Sequence, residues 1–226
     1  MSVEFLWGDR ARPTRGPKPT MSLESIADAA IVLADAEGLA ALSMQRVAAD
    51  LGFTKMSLYR YLPGKAELVA LMVERAIGEP PELPASGWRE GLVAWSELLF
   101  AAYLRHPWTV EATVGRRHLG PNELGWMECA LARFGADSQL TGAERLDAIA
   151  VLAGHARMLA QQSAAQLGEA EMTRAMGEVM QVHGDRFPHL TAAMLQTAAE
   201  GGQNQAFTFG LHRILDGLET LLSRRS

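Results

Sequence analysis

Apolar residues recur every three or four positions along most of the chain, the period of an amphipathic helix. Between 22 and 37 the stripe is Ile26, Ala29/Ala30, Leu33 and Ala36, with Ser22 placed to cap its start and Gly38 to end it. Two short helices are expected next, at about 43–50 from Ser43 and about 55–62 from Thr54. Pro63-Gly64 interrupts the pattern, and another helix starts near Lys65 with Leu68, Val69, Leu71, Met72 and Ile77 along it. "GEPPELPASG" at 78–87 holds three prolines and reads as a linker or sharp corner. Further helices are expected at about 87–106, 122–136, 141–167, 169–182, 188–200 and 205–223, with a shorter element over 108–115. Thr141 and Glu144 form a capping-box pattern at the start of the long one. No stretch reads as a strand and no internal repeat is visible. The expected fold class is all-α: a small N-terminal head on a larger helical body.

Composition agrees and narrows the choice. The 226 residues are 48% hydrophobic and 21% charged, ordinary for a globular protein and too apolar for disorder. The longest clean apolar run, "LLFAAYL" at 98–104, falls far short of the ~20 residues of a membrane span. The first ten residues, "MSVEFLWGDR", lack the pattern of a signal peptide. Cys129 is the single cysteine, which excludes an internal disulfide and fits a reducing cytoplasm. The expected location is therefore cytoplasmic.

Charge is placed unevenly. The net charge is −5. Residues 1–75 hold nine Lys/Arg against nine Asp/Glu, so the excess of acid lies beyond them. From Leu51 to Lys65 there are three cations, Lys55, Arg60 and Lys65, and no anion. "RARPTRGPK" at 10–18 adds four more cations within a Pro/Gly-rich leader that reads as a flexible basic arm, residues 1–19. Local positive charge on an acidic chain points to a nucleic-acid partner.

The packing demands of a helix-turn-helix are met between Val47 and Leu58. Ala48 is small where two helices would cross, Gly52 permits positive φ at the bend, and Val47, Leu51, Phe53 and Leu58 supply core. If the helix after Gly52 enters a major groove, Thr54, Lys55 and Ser57 meet base edges. Lys55 could read guanine, and Tyr59 and Tyr61 could reach phosphate. Lys65 opposes the dipole of the helix it begins, which a phosphate partner would explain. Each has a plainer alternative: Tyr59 as core with a wet hydroxyl, Arg60 as a solvated charge, Met56 as packing instead of a thymine-methyl contact.

The stretch "ALSMQRVAADLGFTKMSLYRYLPGKAELVALMVE" at 41–74 resembles the DNA-binding domain of the tetracycline-repressor (TetR) family, through Leu51-Gly52, Leu58-Tyr59 and Pro63-Gly64-Lys65. The resemblance covers about residues 20–78; beyond it only length, helicity and the ending "FTFGLHRILDGLE" are similar. It implies a head at 20–78 and a ligand-binding and dimerisation body at 79–226. It also implies a homodimeric, ligand-responsive repressor of double-stranded operator DNA. Residue by residue, it implies that Gln45 and Arg46 border the groove, that Thr54, Lys55 and Ser57 approach bases, and that Tyr59, Tyr61 and Lys65 hold phosphates.

In the body, Trp88, Trp95, Trp108 and Trp126 crowd into 39 residues. Trp88, Trp95, Tyr103 and Trp126, with His155 and Met158, are candidates to line a pocket for an apolar or aromatic effector, plain core being the alternative. Small residues at helical spacing, Ala153, Ala156 and Ala160 on the long helix and Gly210 and Gly217 with Arg213 on the last, suggest a four-helix dimer interface, with packing inside one chain as the alternative. The six histidines show no metal-ligand spacing, and no catalytic constellation stands out, so no metal, cofactor or enzymatic activity is expected. Two other readings stay open: a DNA-binding protein with no ligand, constitutive or architectural, and an activator.

Overall fold

A computed structural model of the chain describes residues 4–8, 21–115, 117–135, 138–164, 169–200 and 205–225. Its α-helices are α1 (Glu4–Trp7), α2 (Leu23–Glu37), α3 (Met44–Asp50), α4 (Lys55–Leu58), α5 (Lys65–Ile77), α6 (Trp88–Arg105), α7 (Trp108–Ala112), α8 (Pro121–Leu131), α9 (Gly142–Ala164), α10 (Glu169–His183), α11 (Pro188–Ala199) and α12 (Ala206–Ser223). No strand occurs among the described residues, and no helix there is long and apolar enough to cross a membrane.

Local chemistry sets the starts. Ser22 and Ser25 cap α2 reciprocally, each hydroxyl accepting from the other's backbone N–H. Ser43 Oγ accepts from Arg46 N at 3.2 Å, and Thr54 Oγ1 from Ser57 N at 3.3 Å. Thr141 N donates to Glu144 Oε2 at 2.8 Å while Glu144 N donates back to Thr141 Oγ1. The helix expected over 55–62 is α-helical only to Leu58. Arg60 N and Tyr61 N then bond three residues back, to Ser57 O and Leu58 O, so the chain leaves the helix as tight turns before Pro63.

Two cores form. The head buries Ile26, Leu33, Val47, Ala48, Leu58, Leu62, Leu68 and Met72. The body buries Leu92, Trp95, Leu99, Trp126, Leu140, Leu152, Leu211 and Leu215, where α6, α9 and α12 meet. Trp108 and Ala112 of α7 belong to the head's core, not the body's. α10 and α11 contribute no buried side chain among those described.

One expectation needs correcting at the start of the chain. Residues 4–8, read as part of a flexible arm, are tied down: Phe5 packs on the head core and edge-on against His118, and Trp7 Nε1 donates to Leu119 O at 3.1 Å. The apolar side chains of "FLW" are enough to anchor it. The cations at 10–18 lie outside the described residues.

Candidate nucleic-acid interface and its link to the body

The bend between α3 and α4 fixes which side of α4 faces out. Gly52 takes φ 76° and its N–H bonds Ala49 O, after which Phe53 N returns to Ala48 O at 2.8 Å. Val47, Ala48 and Leu58 are fully buried beneath the turn. With Leu58 turned inward, Thr54, Lys55 and Met56 are exposed, followed by Tyr59, Arg60 and Tyr61.

The residues expected to meet DNA divide by what already holds them. Gln45 is exposed. Arg46 is engaged by both oxygens of Glu37, which raises its own pKa and lowers that of Glu37 through the charge-assisted bond. Thr54 Oγ1 and Ser57 Oγ lie 3.0 Å apart, sharing the cap. Lys55 Nζ sits 5.4 Å over the Tyr59 ring. Tyr61, half-exposed, donates its one hydroxyl proton to Met21 O at 3.2 Å, a structural bond that competes with the expected phosphate contact. Lys65 Nζ reaches Leu39 O at 3.4 Å, a weak bond. The head's arginines Arg46 and Arg75 are matched with carboxylates of α2, Glu37 and Asp28. Lys55, Arg60 and Lys65 have no carboxylate partner among the described residues, which leaves their charge facing solvent.

α5 carries this surface to the body. It spans roughly 20 Å at ~1.5 Å per residue. Near its end, the buried Glu74 carboxylate caps α8: Asn122 N donates to Oε2 at 2.8 Å and Glu123 N to Oε1 at 3.0 Å. Asn122 Nδ2 donates back to Glu74 O. Glu67, also buried, lies 3.7 Å from His118 Nε2. On the other flank Asp35 of α2 accepts from Trp108 Nε1 at 2.8 Å and faces His106 Nδ1 at 2.9 Å. These joints were not anticipated from the sequence. Their one signal was acid at apolar register, Glu67 and Glu74 inside the hydrophobic stripe of α5.

Among the described residues, the six expected effector residues have different surroundings. Trp95 and Trp126 are satisfied core: Trp95 Nε1 donates to Trp126 O, and Trp126 Nε1 to Gly78 O at 3.2 Å. Trp88 packs at the edge of the same core. His155 stacks on Phe207 and meets its carbonyl at 2.9 Å, joining α9 to α12. Met158 is exposed on the outer side of α9. Tyr103 lines an apolar crevice, with Val73, Ala76 and Ile77 of α5, Leu99 and Ala102 of α6, and Thr109 and Thr113. Burial pushes the Tyr103 hydroxyl above its ordinary pKa, so it stays neutral there.

The small-residue stripe likewise packs mainly within the chain. Ala156 and Ala160 are buried in the body core, and Ala153 packs against it. A Cβ on Gly210 would come 2.6 Å from His155 Nε2, so this glycine serves the approach of α12 to α9. Arg213 and Gly217 do face outward. The outward stripes are Val151 and Met158 on α9, with half-buried Gly154 between them, and Phe209, Arg213 and Gly217 on α12. Helical spacing alone cannot say whose face a stripe buries against.

Comparison with known proteins covers both halves of the chain. The model for "Bacterial regulatory proteins, tetR family" matches residues 26–72, and that for "Tetracyclin repressor-like, C-terminal domain" matches residues 80–222. The HTH-type transcriptional repressor DrrR1 of Streptomyces coeruleorubidus is 41% identical, over 99% of this chain and 87% of its own. An HTH-type transcriptional regulator of Saccharopolyspora erythraea is 27% identical over 89% of this chain and 86% of its own. Among solved structures, the Streptomyces coelicolor TetR family protein ActR in complex with actinorhodin shares the fold, with a TM-score of 0.76 and 23% identity over 93% of this chain and 100% of that one.

Proposed function

Because the chain belongs to the TetR family of bacterial regulatory proteins, we propose that it is a homodimeric repressor of palindromic operator DNA, released by a small apolar or aromatic effector. The observation that carries this reading is the exposed face from Thr54 to Lys65, whose three cations lack carboxylate partners among the described residues. α4 lies in the major groove, with Lys55 at base edges and Tyr59 and Lys65 on phosphates. Two heads spaced by about 34–36 Å, one helical turn of DNA, read a two-fold site. Pairing uses the outward stripes of α9 and α12, which leave Val151, Met158 and Phe209 exposed in the single chain. Acting on DNA, the protein works in the cytoplasm.

The effector enters beside Tyr103. The crevice there is narrow and almost entirely apolar, and α5 forms one wall of it. A ligand that widens it moves α5, and α5 carries Lys65 and adjoins α4. Ligand and DNA then oppose each other through linkage, typically ~1–3 kcal/mol of coupling. DrrR1, a named repressor, and ActR, crystallised with a small molecule, are in keeping with this mechanism.

The test is a salt titration of binding to a fluorescent duplex selected from a random pool by the full-length protein. Lys65→Ala is expected to weaken binding to every sequence alike and to lower the slope of log K against log salt by about 0.9 per phosphate lost. Lys55→Ala is expected to change which sequence is preferred. Wild-type behaviour from both variants throughout the titration would show that the groove geometry is wrong.

A further inference from the structure

One of the exposed side chains of α4 is apolar. Met56 is 73% exposed, and no other large hydrophobic residue of the described head is more so. Its neighbours are occupied: Thr54 and Ser57 hold each other in the cap, Lys55 lies over Tyr59, and Leu58 is buried. Met56 therefore projects from the first turn of the helix, largely uncovered by the described residues. Its thioether is a weak acceptor and offers no donor, so a hydrogen-bonding code is closed to it. Of the groups that base pairs present in the major groove, the thymine C5-methyl is the apolar one.

We infer that Met56 is a specificity-determining residue that reads a thymine methyl, so that each half-site carries a required thymine opposite α4. This rests on the reading above that α4 enters the major groove. The unbranched side chain adapts its torsions to reach the methyl, whereas Lys55 and the hydroxyls need fixed geometry. Two exposed methionines, one per subunit, then add an apolar test to a readout otherwise made of charge and hydrogen bonds.

Deoxyuridine, which lacks only that methyl, provides the experiment. The full-length protein selects a duplex from a random pool, and the duplex is resynthesised with deoxyuridine at each thymine in turn. Wild type is expected to lose about fourfold in affinity at one thymine per half-site, and about fifteenfold when both are replaced, from ~0.8 kcal/mol per methyl buried. Met56→Ala is expected to bind the thymine and deoxyuridine duplexes equally while retaining salt-dependent binding, and Met56→Gln, of similar length but polar, to behave the same way. Met56→Leu keeps the discrimination. Equal thymine-to-deoxyuridine ratios in wild type and Met56→Ala at every position would overturn the inference and leave the repressor reading standing. Failure of wild type to select any duplex would overturn both.

Discussion

Replacing Gly120 by alanine is expected to uncouple α5 from α8. Gly120 stands just before α8 at φ −107° and ψ −179°, an extended backbone that alanine adopts freely, so any cost is steric. A Cβ there would lie 2.5 Å from both Cγ and Oε1 of Glu74, far inside the ~3.5–4.0 Å of a favourable carbon contact. The side chain of Glu74 has to swing away, and its bonds to Asn122 N and Glu123 N go with it. Hydrogen bonds to a charged group contribute about 1.5–3 kcal/mol each. Allowing for water at the freed N–H groups, the loss is about 3 kcal/mol, or ~6–12 °C in Tm for a chain of this size.

Glu74→Ala removes the same two bonds by another route. The double variant is therefore expected to cost about as much as Glu74→Ala alone, a coupling of about 3 kcal/mol. Urea unfolding followed by tryptophan fluorescence, at one protein concentration for all four proteins, reads the cycle directly. A Gly120→Ala protein within ~0.5 kcal/mol of wild type, or single costs that simply add, would refute the claim that glycine is there to admit the carboxylate.

Two further outcomes are expected. Arg225 and the Thr141 cap hold the Glu144 carboxyl at about 2, below its ordinary 4.5. A lowered folded pKa stabilises above the unfolded value, so the difference between wild type and Glu144→Gln is expected to be full at neutral pH. It is expected to shrink as pH falls from about 4.5 toward 2; urea titrations at stepped pH check this, and a difference that grows with acid contradicts it. Tyr61→Phe loses the bond to Met21 O and is expected to cost about 1 kcal/mol of stability with the salt slope of DNA binding intact, whereas Tyr59→Phe is expected to weaken DNA binding with stability intact. Denaturation and anisotropy measured on both variants separate the two hydroxyls.

What the sequence made legible was mostly what is local. Ser22, Ser43, Thr54 and Thr141 cap helices through contacts three residues away, and Gly52 bends the chain within its own turn. Such interactions are written into short windows of residues. The aromatic cluster was open between pocket and core for the opposite reason. Trp95 and Trp126 look like pocket walls by composition, yet each Nε1–H finds a backbone carbonyl far away in the chain and the pair closes into core. Ala156, Ala160 and Gly210 were ambiguous because periodicity identifies a buried stripe without naming its partner. Asp35, Glu74 and Trp108 meet their partners across 48 or more residues, a separation that no single-sequence pattern resolves.

The placement of Trp108 bears on how the molecule can be cut. Its indole fills the floor of the reading head while donating to Asp35, although in sequence it follows the linker and the whole of α6. A fragment ending at Gly78 would lose that plug, open a hole the size of an indole beneath α2, and strand an aspartate. Grafts that swap heads between relatives accordingly have to match the residue at 108 to the incoming head, because α6 stays with the body core while α7 beyond it completes the head.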